Sequence, residues 1–164
     1  AGFSWVLVEW ISKGRPSMLG MASGIVAGLV AVTPAAGLVG PMGAIILGLV
    51  VSPISLVFCS AVKQALGYDD SLDVFGIHGV GGIVGAIGTG VFVSADLGGV
   101  GLDDYSMAGQ VATQAIAVGV AFAWSAVASA VVFLIIKLLG ARVGKEVEQE
   151  GLDVEVHGES AYHS

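Results

Sequence analysis

Charge is what this chain has least of. Its 164 residues include 6 Lys and Arg and 13 Asp and Glu, so charged residues make up 12%. A soluble globular domain carries about 25%, and half that amount cannot cover a globule with polar surface. The few basic residues form no stripe that could neutralise phosphates, which excludes a nucleic-acid partner. One cysteine, Cys59, excludes an internal disulfide. The apolar blocks hold a single His, with no paired carboxylate, metal-ligand cluster or activated nucleophile beside it. The reading is therefore not an enzyme, and it calls for no cofactor and no metal. Residues 1–12, AGFSWVLVEWIS, lack an initiator Met and the basic flank of a signal peptide. They supply only ~15 Å of helix, half of a bilayer core, and predict a fragment that begins within a helix.

Apolar residues fill the space that charge leaves. They make up 55% of the chain, the mean hydropathy is +0.93, and they come in uninterrupted blocks. An all-α polytopic membrane protein is predicted. After the partial helix at 1–12, full spans are expected at 18–33, 43–62, 74–93 and 107–139, giving a transmembrane region 1–140. A polar tail follows at 141–164. Alternating the connections puts residues 13–17, 63–73 and the tail on one side, with 34–42 and 94–106 on the other. All 6 basic residues, Lys13, Arg15, Lys63, Lys137, Arg142 and Lys145, lie on or beside the first side. The positive-inside rule makes that side cytoplasmic, so the C-terminus is expected in the cytoplasm.

Small residues recur at helix-packing intervals: Gly20, Gly24 and Gly28; Gly81 and Gly85; Gly82, Ala86 and Gly90; Ser125 and Ser129; Ala126 and Ala130. Such stripes let helix backbones approach closely in lipid. They predict a bundle and specify no function. Pro53 should kink its helix or leave a carbonyl free. Trp5 and Trp10 read as interface anchors, and Trp124 as filling within the bundle.

One titratable ring stands apart in DVFGIHGVGGIVGAIGTGVF, residues 73–92. Positions 81, 82 and 85 share the helical face of His78, and all are glycine. That face is expected to meet protein or a cavity. Ionisable groups inside a membrane usually mark a substrate or proton path; the alternative is a neutral imidazole donating to a backbone carbonyl in a helix contact. For His78 to lie at mid-membrane, residues 66–77 must dip into the protein as an entry segment that is not exposed to lipid. Asp70 or Asp73 can anchor the helix start by accepting from free N–H groups.

Three stretches carry a family resemblance. DDSLDVFGIHGVGGIVGAIGTGVF resembles the last pore-lining helix of the ammonium transporter (Amt/Mep/Rh) family, and the bacterial-type Amt branch in particular. GMASGIVAGLVAVTPAAGLVGPMGAIILG and the tail EGLDVEVHGESAY also resemble it. Likeness runs from Trp5 to the end. It implies the C-terminal portion of an eleven-helix fold: the end of helix seven, helices eight to ten of the second inverted repeat, and a long last helix. It further implies a multi-pass protein of the plasma or inner membrane, a homotrimer, and passage of ammonium or ammonia through a narrow apolar pore. His78 then resembles the second member of a twin-histidine pair that handles the proton. Val74 matches a pore-lining position toward the cytoplasmic exit. Asp70 precedes His78 by eight residues, a spacing similar to that of the family's Asp before the first histidine, although a helix anchor accounts for it as well.

The first pore histidine has no counterpart here, because His157 and His163 lie in the tail. The 164 residues alone are expected to be inactive. The acidic tail reads either as a solvated end or, by resemblance, as a regulatory segment with Gly151 and Gly158 as bends and Asp153 and His157 between them. A P-II signalling protein is the partner this implies. A self-contained oligomeric membrane scaffold presenting its tail to a soluble partner is the alternative.

Overall fold

The structure, a computed structural model, describes residues 1–140 and 142–160; position 141 and residues 161–164, His163 among them, lie outside the description. Among the described residues there are helices and no strands. The chain divides into two compact units, Ala1–Val120 and Ala121–Ser164.

In the first unit, α1 (Gly2–Lys13) and α2 (Met18–Val32) form a hairpin. Its turn is a polar network. Ser17 caps α2 by accepting from the Gly20 N–H at 2.9 Å, and Glu9 on α1 accepts from both the N–H and the hydroxyl of Ser17 at 3.0 Å. Lys13 closes it with a 3.1 Å bond to the second Glu9 oxygen. Sequence reasoning passed over Glu9, which is only 6% exposed. Charge this deep is retained where every acceptor is used.

Gly20, Gly24 and Gly28 line the seam between these helices. A Cβ at Gly24 would stand 2.5 Å from the Trp5 Cβ, and one at Gly28 would stand 2.4 Å from the Ala1 Cβ. Trp5 is therefore packed into the hairpin, 5% exposed, and corrects the interface reading; Trp10 is 59% exposed. Glycine opposite the indole explains the difference, since only a bare backbone admits a ring that large between two helices.

α3 (Pro41–Val57) carries Pro53 and continues through a wide turn, Phe58–Val62, into the short α4 (Lys63–Leu66). Proline has no N–H to give the carbonyl four residues earlier, which belongs to Leu49. Ser4 of α1 fills the place, its hydroxyl donating to the Leu49 carbonyl at 2.8 Å. Nearby, Ser52 donates to the Ala1 carbonyl at 2.7 Å. A core of Trp5, Ala27, Ala31, Val51, Leu56 and Ile77 forms where these helices meet.

A second wide turn, Phe75–Gly79, leads into α5 (Val80–Phe92). At the opposite end, the loops 34–42 and 94–106 come together: the Val100 N–H donates to the Leu38 carbonyl at 3.0 Å. Tyr105 closes the end of α5 through bonds of 3.0 Å to the carbonyls of Gly90 and Val91.

α6 (Met107–Leu138) has 32 residues, or ~48 Å. It is apolar all round, and none of its described residues is buried. Trp124, read from the sequence as bundle filling, is 75% exposed. Among the described residues, three helical stretches are long and apolar enough to cross a membrane: Pro41–Leu66, Phe75–Phe92 and Met107–Leu138. α2, 15 residues or ~22 Å, ends one residue short of the expected 18–33, and turns over residues 33–38 follow it.

The second unit holds the end of α6, then α7 (Lys145–Glu150) and a further wide turn, Asp153–His157. Arg142 pairs with Glu148 at 2.8 Å. Gly151 has φ 106° and Gly158 has φ 65°, so both bends lie where L side chains are strained.

Candidate functional site

The site centres on the start of α5. The wide turn before it is defined by the Val80 N–H reaching back five residues to the Phe75 carbonyl, one more than in an α-helix. His78 lies inside this turn. Three glycines follow it, but they do not share one environment. A Cβ at Gly85 would stand 2.2 Å from the Ala31 carbonyl oxygen, and one at Gly81 would stand 3.3 Å from Val30, so both pack against α2. Gly82 has nothing within 4 Å.

His78 is exposed and Val74 is 52% exposed. The open face thus carries Val74, His78 and Gly82 at intervals of four. This corrects the sequence reading, which put all three glycines on the histidine's face. A five-residue turn shifts the helical phase, and the 3.6-residue spacing does not carry across it. His78 has no hydrogen-bond partner among the described residues, so its two ring nitrogens are available as donor and acceptor.

What holds the turn is a compact cluster in residues 63–75. The Asp70 carboxylate accepts from the Val74 N–H at 2.8 Å and from the Phe75 N–H at 2.9 Å. These are two of the four N–H groups that a helix start leaves bare. Asp73 does different work from Asp70. Its backbone adopts φ 56°, a left-handed conformation costing roughly 1–2 kcal/mol outside glycine. Its carboxylate accepts from the Lys63 ammonium, which also donates to the Asp70 carbonyl at 3.0 Å. Sequence reasoning missed Lys63; its signal was a lone cation ten residues before an Asp at a helix entrance.

Aromatic rings pack beside the cluster. Phe75 meets Tyr68 edge-on at 5.9 Å and Phe58 at 6.4 Å, and the Tyr68 hydroxyl donates to the Phe58 carbonyl at 3.1 Å. Residues 66–77 are therefore an ordered entry made of a left-handed Gly67, a loop and the wide turn. The tail residues Gly151, Asp153, His157 and Gly158 belong to the other unit and shape the bend, turn and exit described above.

Comparison with known proteins adds the identity. The profile of the Ammonium Transporter Family matches residues 1–162. An ammonium transporter of Aquifex aeolicus is 46% identical over 164 residues, covering 99% of this chain and 38% of that protein. One of Bacillus subtilis is 41% identical over 161 residues, covering 96% and 40%. Among solved structures, a Sensor Amt Protein superposes with a TM-score of 0.83 at 29% identity, covering 94% of this chain and 38% of that one. Saccharomyces cerevisiae Mep2 does so with a TM-score of 0.74 at 31% identity, covering 88% and 34%. The chain thus spans about two fifths of the length of the relatives it matches. Helices long enough to cross a membrane and a family match over residues 1–162 agree: this chain belongs to the Ammonium Transporter Family.

Proposed function

We propose that this chain forms the C-terminal part of an ammonium transporter and supplies one wall of its pore. The observation that carries this reading is the row of Val74 and His78, both exposed, and the half-buried Gly82, whose Cβ position is open: a lone imidazole on an otherwise apolar and glycine face. Bare ammonium in a dry apolar passage would bear a large desolvation cost, whereas ammonia is neutral. An imidazole there can accept the proton and hold the neutral amine by a hydrogen bond. His78 is then the second half of a twin-histidine centre, with Val74 lining the path toward the cytoplasmic exit. Gly82 leaves room for the passing molecule one turn further on.

The other half of the pair and the remaining pore wall come from chain outside these residues. The protein sits in the plasma or inner membrane with its C-terminus in the cytoplasm, which the distribution of Lys and Arg supports. Homotrimeric assembly and a P-II partner for the acidic tail complete the reading. The all-round apolar surface of α6 supports contact with lipid and with other helices.

Uptake of labelled methylammonium into vesicles containing the full-length protein tests it. His78→Ala should lower the saturable rate at least tenfold at equal protein abundance, while the 164-residue chain alone should give no saturable uptake. Wild-type uptake by His78→Ala, or saturable uptake by the chain alone, would refute the proposal.

A further inference from the structure

The two wide turns lie against each other. In the first, the Lys63 N–H reaches back five residues to the Phe58 carbonyl, as the Val80 N–H does to Phe75 in the second. They touch through bare backbone: a Cβ at Gly76 would stand 2.4 Å from the Cys59 sulfur and 3.1 Å from the Cys59 nitrogen. Lys63 stands at the end of the first turn, and its ammonium holds the approach to the second through the Asp73 carboxylate and the Asp70 carbonyl. The side chains of this ion pair are 26% and 35% exposed, so the contact is partly shielded from solvent.

We propose that Lys63 is a positioning residue for His78. Resting on the pore reading above, the inference adds a device that sets the imidazole's direction. From Val80 onward, α5 is fixed by Gly81 and Gly85 against α2, so freedom of movement is left to the turn itself. A wide turn holds one residue more than an α turn. If it tightened, one residue would slip toward the loop, and everything before it would rotate by about 100°. Val74 would leave the row it shares with His78.

Two features oppose that slip. Asp70 holds the N–H groups of Val74 and Phe75. Lys63 holds Asp73, the residue at the turn's entrance, in its left-handed backbone conformation. Because Lys63 is anchored in the neighbouring turn, the two turns are fixed as a pair. The polar partners of the Lys63 ammonium are Asp70 and Asp73, not the His78 ring, so its influence runs through backbone geometry.

The test uses the full-length protein in lipid nanodiscs and in vesicles, with Lys63→Met as the main variant. Amide exchange over residues 74–80 should accelerate at least tenfold, with residues 85–92 unchanged. The maximal uptake rate should fall about tenfold with KM altered less than twofold, and Lys63→Arg should restore both measurements. If Lys63→Met does not fold, Asp73→Asn serves in its place, because Asn tolerates the left-handed backbone and removes the ionic partner. Unchanged exchange over 74–80 in the folded variant, or a wild-type maximal rate, would overturn the proposal. The exchange measurement needs no transport, so it separates failure of this device from failure of the pore reading, which His78→Ala tests on its own.

Discussion

Gly85 and Gly82 are three residues apart on one helix, yet an added methyl group should act on them in opposite ways. At Gly85 the new Cβ would stand 2.2 Å from the Ala31 oxygen, 2.8 Å from its Cα and 2.9 Å from its carbonyl carbon. All three are backbone atoms that cannot swing aside. Relief requires α2 and α5 to separate by roughly 1 Å, and a gap of that size forfeits about a quarter to a half of each contact along the seam. Overpacking of this kind costs about 1–3 kcal/mol, and alanine's helix preference over glycine returns up to about 1 kcal/mol. Because the clash is with backbone at 2.2 Å, the upper part of that range, about 2–3 kcal/mol, applies, so a net loss of about 1–2 kcal/mol is expected for Gly85→Ala, or roughly a 5- to 30-fold shift toward the unfolded state. Gly82→Ala meets nothing within 4 Å, so it should keep the helix gain and be neutral or up to about 1 kcal/mol more stable. Equilibrium unfolding of the full-length protein in bicelles, followed by steric trapping, reads both values. The reasoning fails if Gly85→Ala matches wild type, or if Gly82→Ala loses as much as Gly85→Ala. On the proposed pore reading, transport should rank the variants differently, with Gly82→Ala slowing uptake despite intact stability because its methyl group narrows the open face one turn beyond His78.

Further expectations follow from individual contacts. Ser4→Ala should cost about 1–3 kcal/mol, because the Leu49 carbonyl that Pro53 leaves free loses its donor. In a Pro53→Ala background the helix supplies its own N–H, so the same change should cost less than half as much; equal costs in a double-mutant cycle would refute the pairing. Asp70→Ala should lower stability by about 0.5–2 kcal/mol through loss of a helix cap. Asp70→Asn should retain part of it, as thermal unfolding would show. Gly151 adopts φ 106° and ψ 144°, a region that costs roughly 1–3 kcal/mol for other residues. Gly151→Ala should therefore open the tail to protease in the assembled protein, and identical cleavage of both forms would count against an ordered tail.

Fold class and family were legible because they rest on long-range statistics: apolar blocks of spanning length, few charges, and motifs such as DVFGIHGVGG that persist over many residues. What stayed hidden depends on single hydrogen bonds. A five-residue turn has no composition of its own, so the spacing from His78 to its glycines was projected with the wrong period, and Gly82 was separated from Gly81 and Gly85 only by coordinates. Trp5 looked like an interface residue because it lies on a short helix, and the glycines that receive it are on another. Glu9 could have been found, since Glu9, Lys13 and Ser17 recur at intervals of four, the spacing of helical ion pairs. Its burial could not, because burial depends on how α1 closes on α2. Lys63 was counted for its charge in the orientation argument, which drew attention away from where its ammonium would reach.

The bond between Ser4 and Leu49 also bears on how the chain is made. The donor emerges from the ribosome 45 residues before the acceptor, roughly 2–9 s earlier at usual elongation rates. The helix with the awkward proline therefore enters the bilayer after its partner is already in place. The order of synthesis thus delivers the hydroxyl donor before the carbonyl that an interior proline leaves free.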